Sequence, residues 1–122
     1  MVVQATRHDE VAQVALPELV RHLTEVVGAP LVAVMAQAPS ARDVEHWAHG
    51  DKTPDAADER RLRDADWVVQ TLLQTESAEV VKAWLMGMNP MLDDQAPGLI
   101  LADDPESVFF AARAYRHGQM GA

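Results

Sequence analysis

The chain has 122 residues, 48% of them apolar, no cysteine and a formal charge of −9. That apolar share is enough for a folded core and too high for a disordered chain, at a length suited to one compact unit. The missing cysteines exclude a disulfide framework and a thiolate metal site. The acidic balance argues against non-specific binding to nucleic acid or to an anionic membrane. No apolar run approaches the ~18 residues a membrane span requires. Met1 to Asp9 lacks the long apolar core of a signal peptide, so a soluble, cytoplasmic protein with no membrane contact is expected.

The chain reads as all-α. Residues 1–14 carry weak signals and are expected to be a flexible arm. Leu16, Leu19, Val20, Leu23, Val26 and Val27 then form a stripe at the helical period, with Pro17 suited to a first turn and Gly28 to the stop. Pro30 opens a short second helix, with Leu31, Val34 and Met35 expected on its inner side, and Ala38-Pro39-Ser40 breaks it. Ser40 is placed to cap a third helix, with Asp43 completing a weak capping box. Val44, Trp47 and Ala48 form the inner side of that helix, and Gly50 ends it.

After the polar turn Asp51-Lys52-Thr53-Pro54, a long helix is expected from about Asp55 to Thr75. Its inner stripe is Leu62, Ala65, Val69, Leu72 and Leu73. Arg60, Arg61 and Arg63 stand among Asp58, Glu59, Asp64 and Asp66, which reads as a mixed-charge solvated face with ordinary pairs such as Glu59 and Arg63. Ser77 caps a further helix with Val81, Trp84 and Leu85 inward. Gly87 and an Asn89-Pro90 turn follow, then a short helix over residues 97–101. Asp104 and Pro105 start the last helix, with Val108, Phe109, Ala112 and Tyr115 as its stripe and Gly118 as its end. No Gly/Ser linker divides the chain. Residues 15–76 and 77–122 are expected to form one packed body with two functional surfaces.

In the first region, the order Trp47, Gly50, Pro54 is mechanically sensible. The indole anchors a helix into the core, the glycine takes a left-handed stop, and the proline turns the chain. With the helix pair around Leu31–Met35 and Ser40–His49, this resembles an Xre-type helix-turn-helix. The resemblance implies DNA contact through the outer side of the second helix, with Arg42 first and His46 and Lys52 second. Asp43 and Glu45 on the same side oppose phosphate contact, and Ala38-Pro39 replaces the small glycine usual in such a turn.

The second region carries the sharper pattern. Trp84, Leu85, Asn89, Pro90, Leu92, Pro97, Leu101 and the closing helix from Val108 to Gly118 resemble the toxin-binding lobe of the Xre/MbcA/ParS-like antitoxins. The resemblance covers about a third of the chain. It implies a type II toxin–antitoxin system in which this lobe covers the active site of a cognate toxin, often a RES-domain protein that consumes NAD. It further implies self-association, as a homodimer or a larger complex with the toxin, and repression of the operon through the helix-turn-helix. The chain departs from the family after Leu92, where Asp93-Asp94 replaces a frequent glycine. Arg113, Arg116, His117 and Gln119 are the candidate toxin contacts; charge that complements the helix C-terminus is the competing role for them. Met86, Met88 and Met91 surround the Asn-Pro turn, where thioethers suit either an adaptable surface or irregular core filling, and core filling is the expected role.

Nothing points to catalysis. There is no Gly-rich phosphate loop, nucleophile elbow or Cys-His pair, and neither Asp93-Asp94 nor Asp103-Asp104 belongs to a recognised acid–base motif. His46 and His49 are spaced to share a metal, but no ligand motif completes the set. A non-enzymatic protein without metal or cofactor is expected. A stand-alone DNA-binding regulator without a toxin partner is the alternative class, and a helical adaptor is a third.

Overall fold

The computed structural model describes residues 15–121, with side chains through Arg116; the arm expected over 1–14 lies outside the described residues. The described chain is helical, with no named strand. Its helices are α1 (Leu16–Val27), α2 (Ala29–Ala36), α3 (Ala41–His49), α4 (Ala56–Leu73), α5 (Ala78–Met86), α6 (Pro97–Ile100) and α7 (Pro105–Gly121), with a 3-10 turn at Pro90–Leu92. None of them is long and apolar enough to cross a membrane.

The apolar stripe of α1 folds inward as its spacing requires: Leu19, Val20, Leu23 and Val27 are buried, with Leu16 and Val26 packed at the edge. Gly28 adopts φ 91°, a backbone setting that side chains rarely accept, and α2 leaves it at 119° to α1. The inner face of α2 differs from expectation. Val32, Ala33, Met35 and Ala36 are buried, Leu31 is half-buried, and Val34 faces solvent. Its sequence, Ala-Pro-Leu-Val-Ala-Val-Met-Ala, is apolar all round, so periodicity cannot choose a face and packing does.

Gln37 takes the left-handed setting that stops α2. Ser40 occupies the N-cap of α3 with extended backbone, but its hydroxyl points to the Asp43 carboxylate at 3.3 Å instead of capping a backbone N–H. Asp55, Ser77 and Asp104 do cap, accepting from the N–H groups of Asp58, Val80 and Ser107. The C-terminal carbonyls of α2 and α3 are met by arginines from other helices: Arg61 donates to Ala36 and Arg21 to Ala48, each at 2.8 Å. Arg61 is thus part of the scaffold, while Glu59 and Arg63 form the expected surface pair at 3.0 Å.

One continuous core joins the two regions. It includes Leu23, Met35, Val44 and Trp47 from the first helices, Leu62, Val69 and Leu72 from α4, and Leu85, Leu92, Leu101 and Val108 from the C-terminal lobe. α1 touches α5, and α2 touches α6, across the expected boundary at residue 76. Gly98 marks the tightest junction. A Cβ there would stand 3.0 Å from the Leu85 carbonyl oxygen and 3.3 Å from Leu31 Cδ1. The last helix passes through Gly118 to Gly121, against the expected stop, because a glycine inside a helix only weakens it.

Candidate functional site

Two outward surfaces contain the residues singled out in the sequence. The first is the outer side of α3. Its inner side, Val44, Trp47 and Ala48, is buried as expected, so Trp47 anchors the helix. Gly50 stops it at φ 80°, and Pro54 is buried where the chain turns toward α4. Arg42, Glu45, His49, Asp51 and Lys52 are exposed, and His46 is half-exposed. The ring of His46 lies 3.3 Å from Asp51, and His49 Nδ1 donates to the Glu45 carbonyl oxygen at 2.9 Å. Both imidazoles are therefore engaged locally. Among the described residues, no three His, Asp or Glu side chains converge as a metal site. This face mixes cations with carboxylates, so its field toward phosphate is weak.

The second surface is built by the C-terminal lobe. The side-chain oxygen of Asn89 accepts from Met91 N–H at 2.9 Å, and its backbone oxygen accepts from Leu92 and Asp94, each at 2.9 Å. An isolated antiparallel bridge from Asn89 to Gln95 closes the loop. Leu92 is buried beneath it, where the 3-10 turn packs against α7. Asp93 and Asp94 follow at φ 56° and 64°, a left-handed setting that Asp tolerates better than most residues. Pro97, buried, then starts α6. The Asn89-Pro90 turn is thus a tied, pre-shaped loop.

The methionines of this loop overturn the expected core-filling role. Met88 is 81% exposed, Met86 59% and Met91 51%. Leu85 and Leu92 already fill the interior beside them. Leu99 (66%) and Phe110 (59%) extend the apolar exposure. The sequence contained a signal for both. Ile100 and Phe109 pack against the core, and adjacent positions on a helix diverge by roughly 100°. Val34 and Met86 meet across a shallow groove of about 240 Å³ over Pro30 and Leu31, with Lys82 at its edge.

The arginines proposed at the C-terminal end have intramolecular partners. Arg113 is exposed and stacks over Trp67, 5.6 Å from the ring centroid, while Trp67 meets Phe109 at 4.8 Å. Arg116 donates through a terminal nitrogen to the Gln74 side chain, and its buried Nε has no acceptor. Trp84 packs half-buried against Tyr115, with centroids 6.2 Å apart. The side chains of His117 and Gln119 lie outside the described residues. Arg113 and Arg116 therefore fasten α7 to the long helix, in addition to anything they contact outside the molecule.

A third cluster escaped the sequence reading. The Gln70 amide donates to His22 Nδ1 at 3.0 Å and lies 3.4 Å from Asp66. Burial holds Asp66 above the ordinary carboxylate range, against the Gln70 hydrogen bond and the charges of His22 and Arg63. Asp64 is also raised, by burial first and by Glu106, with Arg60 opposing. The interacting residues lie on two helices, far apart in sequence, so spacing alone could not join them. Comparison with protein-family models, with characterised proteins and with solved structures returned no match.

Proposed function

We propose that this chain is a partner-neutralising antitoxin whose residues 77–122 dock on a cognate toxin and cover its active site. The observation that carries this reading is the distribution of exposed apolar side chains. Of the eight large hydrophobic residues that face solvent among the described residues, Val80, Met86, Met88, Met91, Leu99 and Phe110 belong to this lobe, and Val34 and Trp67 lie elsewhere. Apolar exposure gathered on a tied loop and its neighbouring helices favours a protein partner. The Trp84–Asn89–Pro90–Pro97 pattern supports the antitoxin class, and within it a RES-type, NAD-consuming toxin is the proposed partner.

Co-expression with the product of the neighbouring gene tests the reading. The expected result is rescue of growth and co-purification of the two proteins. A toxic neighbour that is neither bound nor neutralised would sink it. DNA contact through α3, for autorepression or as a stand-alone regulator, is the second reading, favoured by the exposure of Arg42 and Lys52. Upstream DNA should then be retarded in a gel by the wild-type chain and not by Arg42→Ala or Lys52→Ala.

A further inference from the structure

From Ala83 to Ala112 the chain contains five carboxylates, at Asp93, Asp94, Asp103, Asp104 and Glu106, and no Lys, Arg or His. The same stretch contains Met86, Met88, Met91, Leu99 and Phe110, all exposed. A surface of this kind has two properties together. Its thioethers are unbranched and polarizable, so they mould to apolar side chains of varied shape. The formal charges of the stretch itself are all negative, which favours cations over phosphate.

The loop that presents Met88 and Met91 is also pre-shaped. Asn89 ties it from within through Met91, Leu92 and Asp94, and Leu92 roots it in the core. Asp93 and Asp94, both exposed, directly follow the methionine segment. A partner therefore meets apolar and acidic groups on a frame whose ordering cost was met during folding.

We infer that the methionine loop docks a cationic amphipathic helix of the partner protein. The helix's apolar face covers Met86, Met88 and Met91, and its Lys or Arg residues meet Asp93 and Asp94. This rests on the protein-partner reading above and names the chemistry of the contacting segment. Helix-in-groove recognition of this kind pairs apolar anchors at helical spacing with a charged rim. Lys82 stands at the Met86 end of the groove over Pro30, which orients the basic side of the incoming helix toward the Asp93 end.

The test uses the full chain labelled at its methionine methyls and a synthetic Leu/Lys amphipathic peptide, with a Leu/Glu peptide of the same pattern as control. The methyl signals of Met86, Met88 and Met91 are expected to shift with the basic peptide only. Met35, fully buried, is the internal reference and should not move. Asp93→Asn/Asp94→Asn, which keeps residues tolerant of the left-handed backbone, should weaken binding about three- to tenfold at low salt and less at high salt. Met88→Gln should weaken it comparably without changing the Met35 signal.

Equal binding of the acidic peptide, or shifts spread beyond the three methyls, would overturn the inference. Methyl shifts that grow with protein concentration in the absence of peptide would also overturn it, since the occupant would then be a second copy of this chain. Failure here is distinct from failure of the antitoxin reading, which is scored by growth rescue. Peptide capture without rescue removes the toxin and keeps the surface, whereas rescue without capture does the reverse.

Discussion

Between Leu16 and His49 the apolar side chains close inward, and Val34 is the one large hydrophobic residue of that segment left facing solvent. Between Val80 and Phe110 the same kinds of residue divide. Val81, Leu85, Leu92, Leu101 and Val108 go in, while Met86, Met88, Met91, Leu99 and Phe110 stay out. The two regions share one core, so the difference does not come from poor packing in the second. Met88 and Met91 stand on the Asn89-Pro90 loop and Leu99 on the short α6, while Met86 and Phe110 occupy outward positions of α5 and α7. Burial explains the segment from Leu16 to His49 apart from Val34. In the second region, Met86, Met88, Met91, Leu99 and Phe110 form apolar exposure that the protein's own core does not cover, which is the surface the proposed partner would use.

Substitutions can break that contrast at several depths. The largest effect is expected in the shared core: Leu72→Ala should cost about 2–5 kcal/mol in urea unfolding, while Met88→Gln should stay within about 0.5 kcal/mol of wild type. Near-equal losses would mean that the methionine loop is part of the stabilising interior. Gly98→Ala comes next. Its new Cβ meets the Leu85 carbonyl, a backbone atom that cannot swing aside, and a loss of about 1–3 kcal/mol is expected from the same measurement. A neutral result would show that α6 is not pressed against α5.

Asn89→Ala removes the acceptor for Met91 N–H and should cost about 1 kcal/mol. Its sharper signature is faster amide exchange at Met91, Leu92 and Asp94, with α1–α3 unchanged. Unaltered exchange would show that the loop does not depend on this tie. The smallest effect concerns Asp66. Burial raises its carboxyl above the ordinary value of 3.8, so the fold holds this proton more tightly than the unfolded chain. The resulting stability is present below 3.8 and is lost as pH rises through the folded value. Asp66→Asn, which keeps an acceptor for Gln70, should therefore melt higher than wild type at neutral pH. The two should converge as the pH falls toward about 4. A lower melting point at neutral pH would mean that the ionised carboxylate has a favourable partner there.

Much of this architecture was legible before any coordinates. The stripes of α1 and α3 and the caps at Ser77 and Asp104 follow from periodicity and from residue types whose chemistry is local. Reading failed where those signals were saturated or absent. The uniformly apolar α2 could not declare its face, and Val34 came out where it was expected in. Gly118 looked like a stop, yet the helix continued. Arg61 looked like one of three surface arginines until α2 supplied a carbonyl for it. The methionines were misplaced for a related reason: a flexible apolar side chain suits a core and a contact surface equally, and sequence offers no term for how much interior remains to be filled.

The amino-acid sequence alone determined that this protein is helical, where most of its helices begin and end, and which stripes must be buried. Those properties depend on hydrogen bonds and apolar spacing within a few residues. Only the tertiary structure decided which helices meet across the expected single body, that Arg21 and Arg61 close helix ends from a distance, and that the Asn89 loop turns its methionines to solvent. Each of these depends on what a side chain meets from another part of the chain, and that is settled when the helices compete for one limited interior.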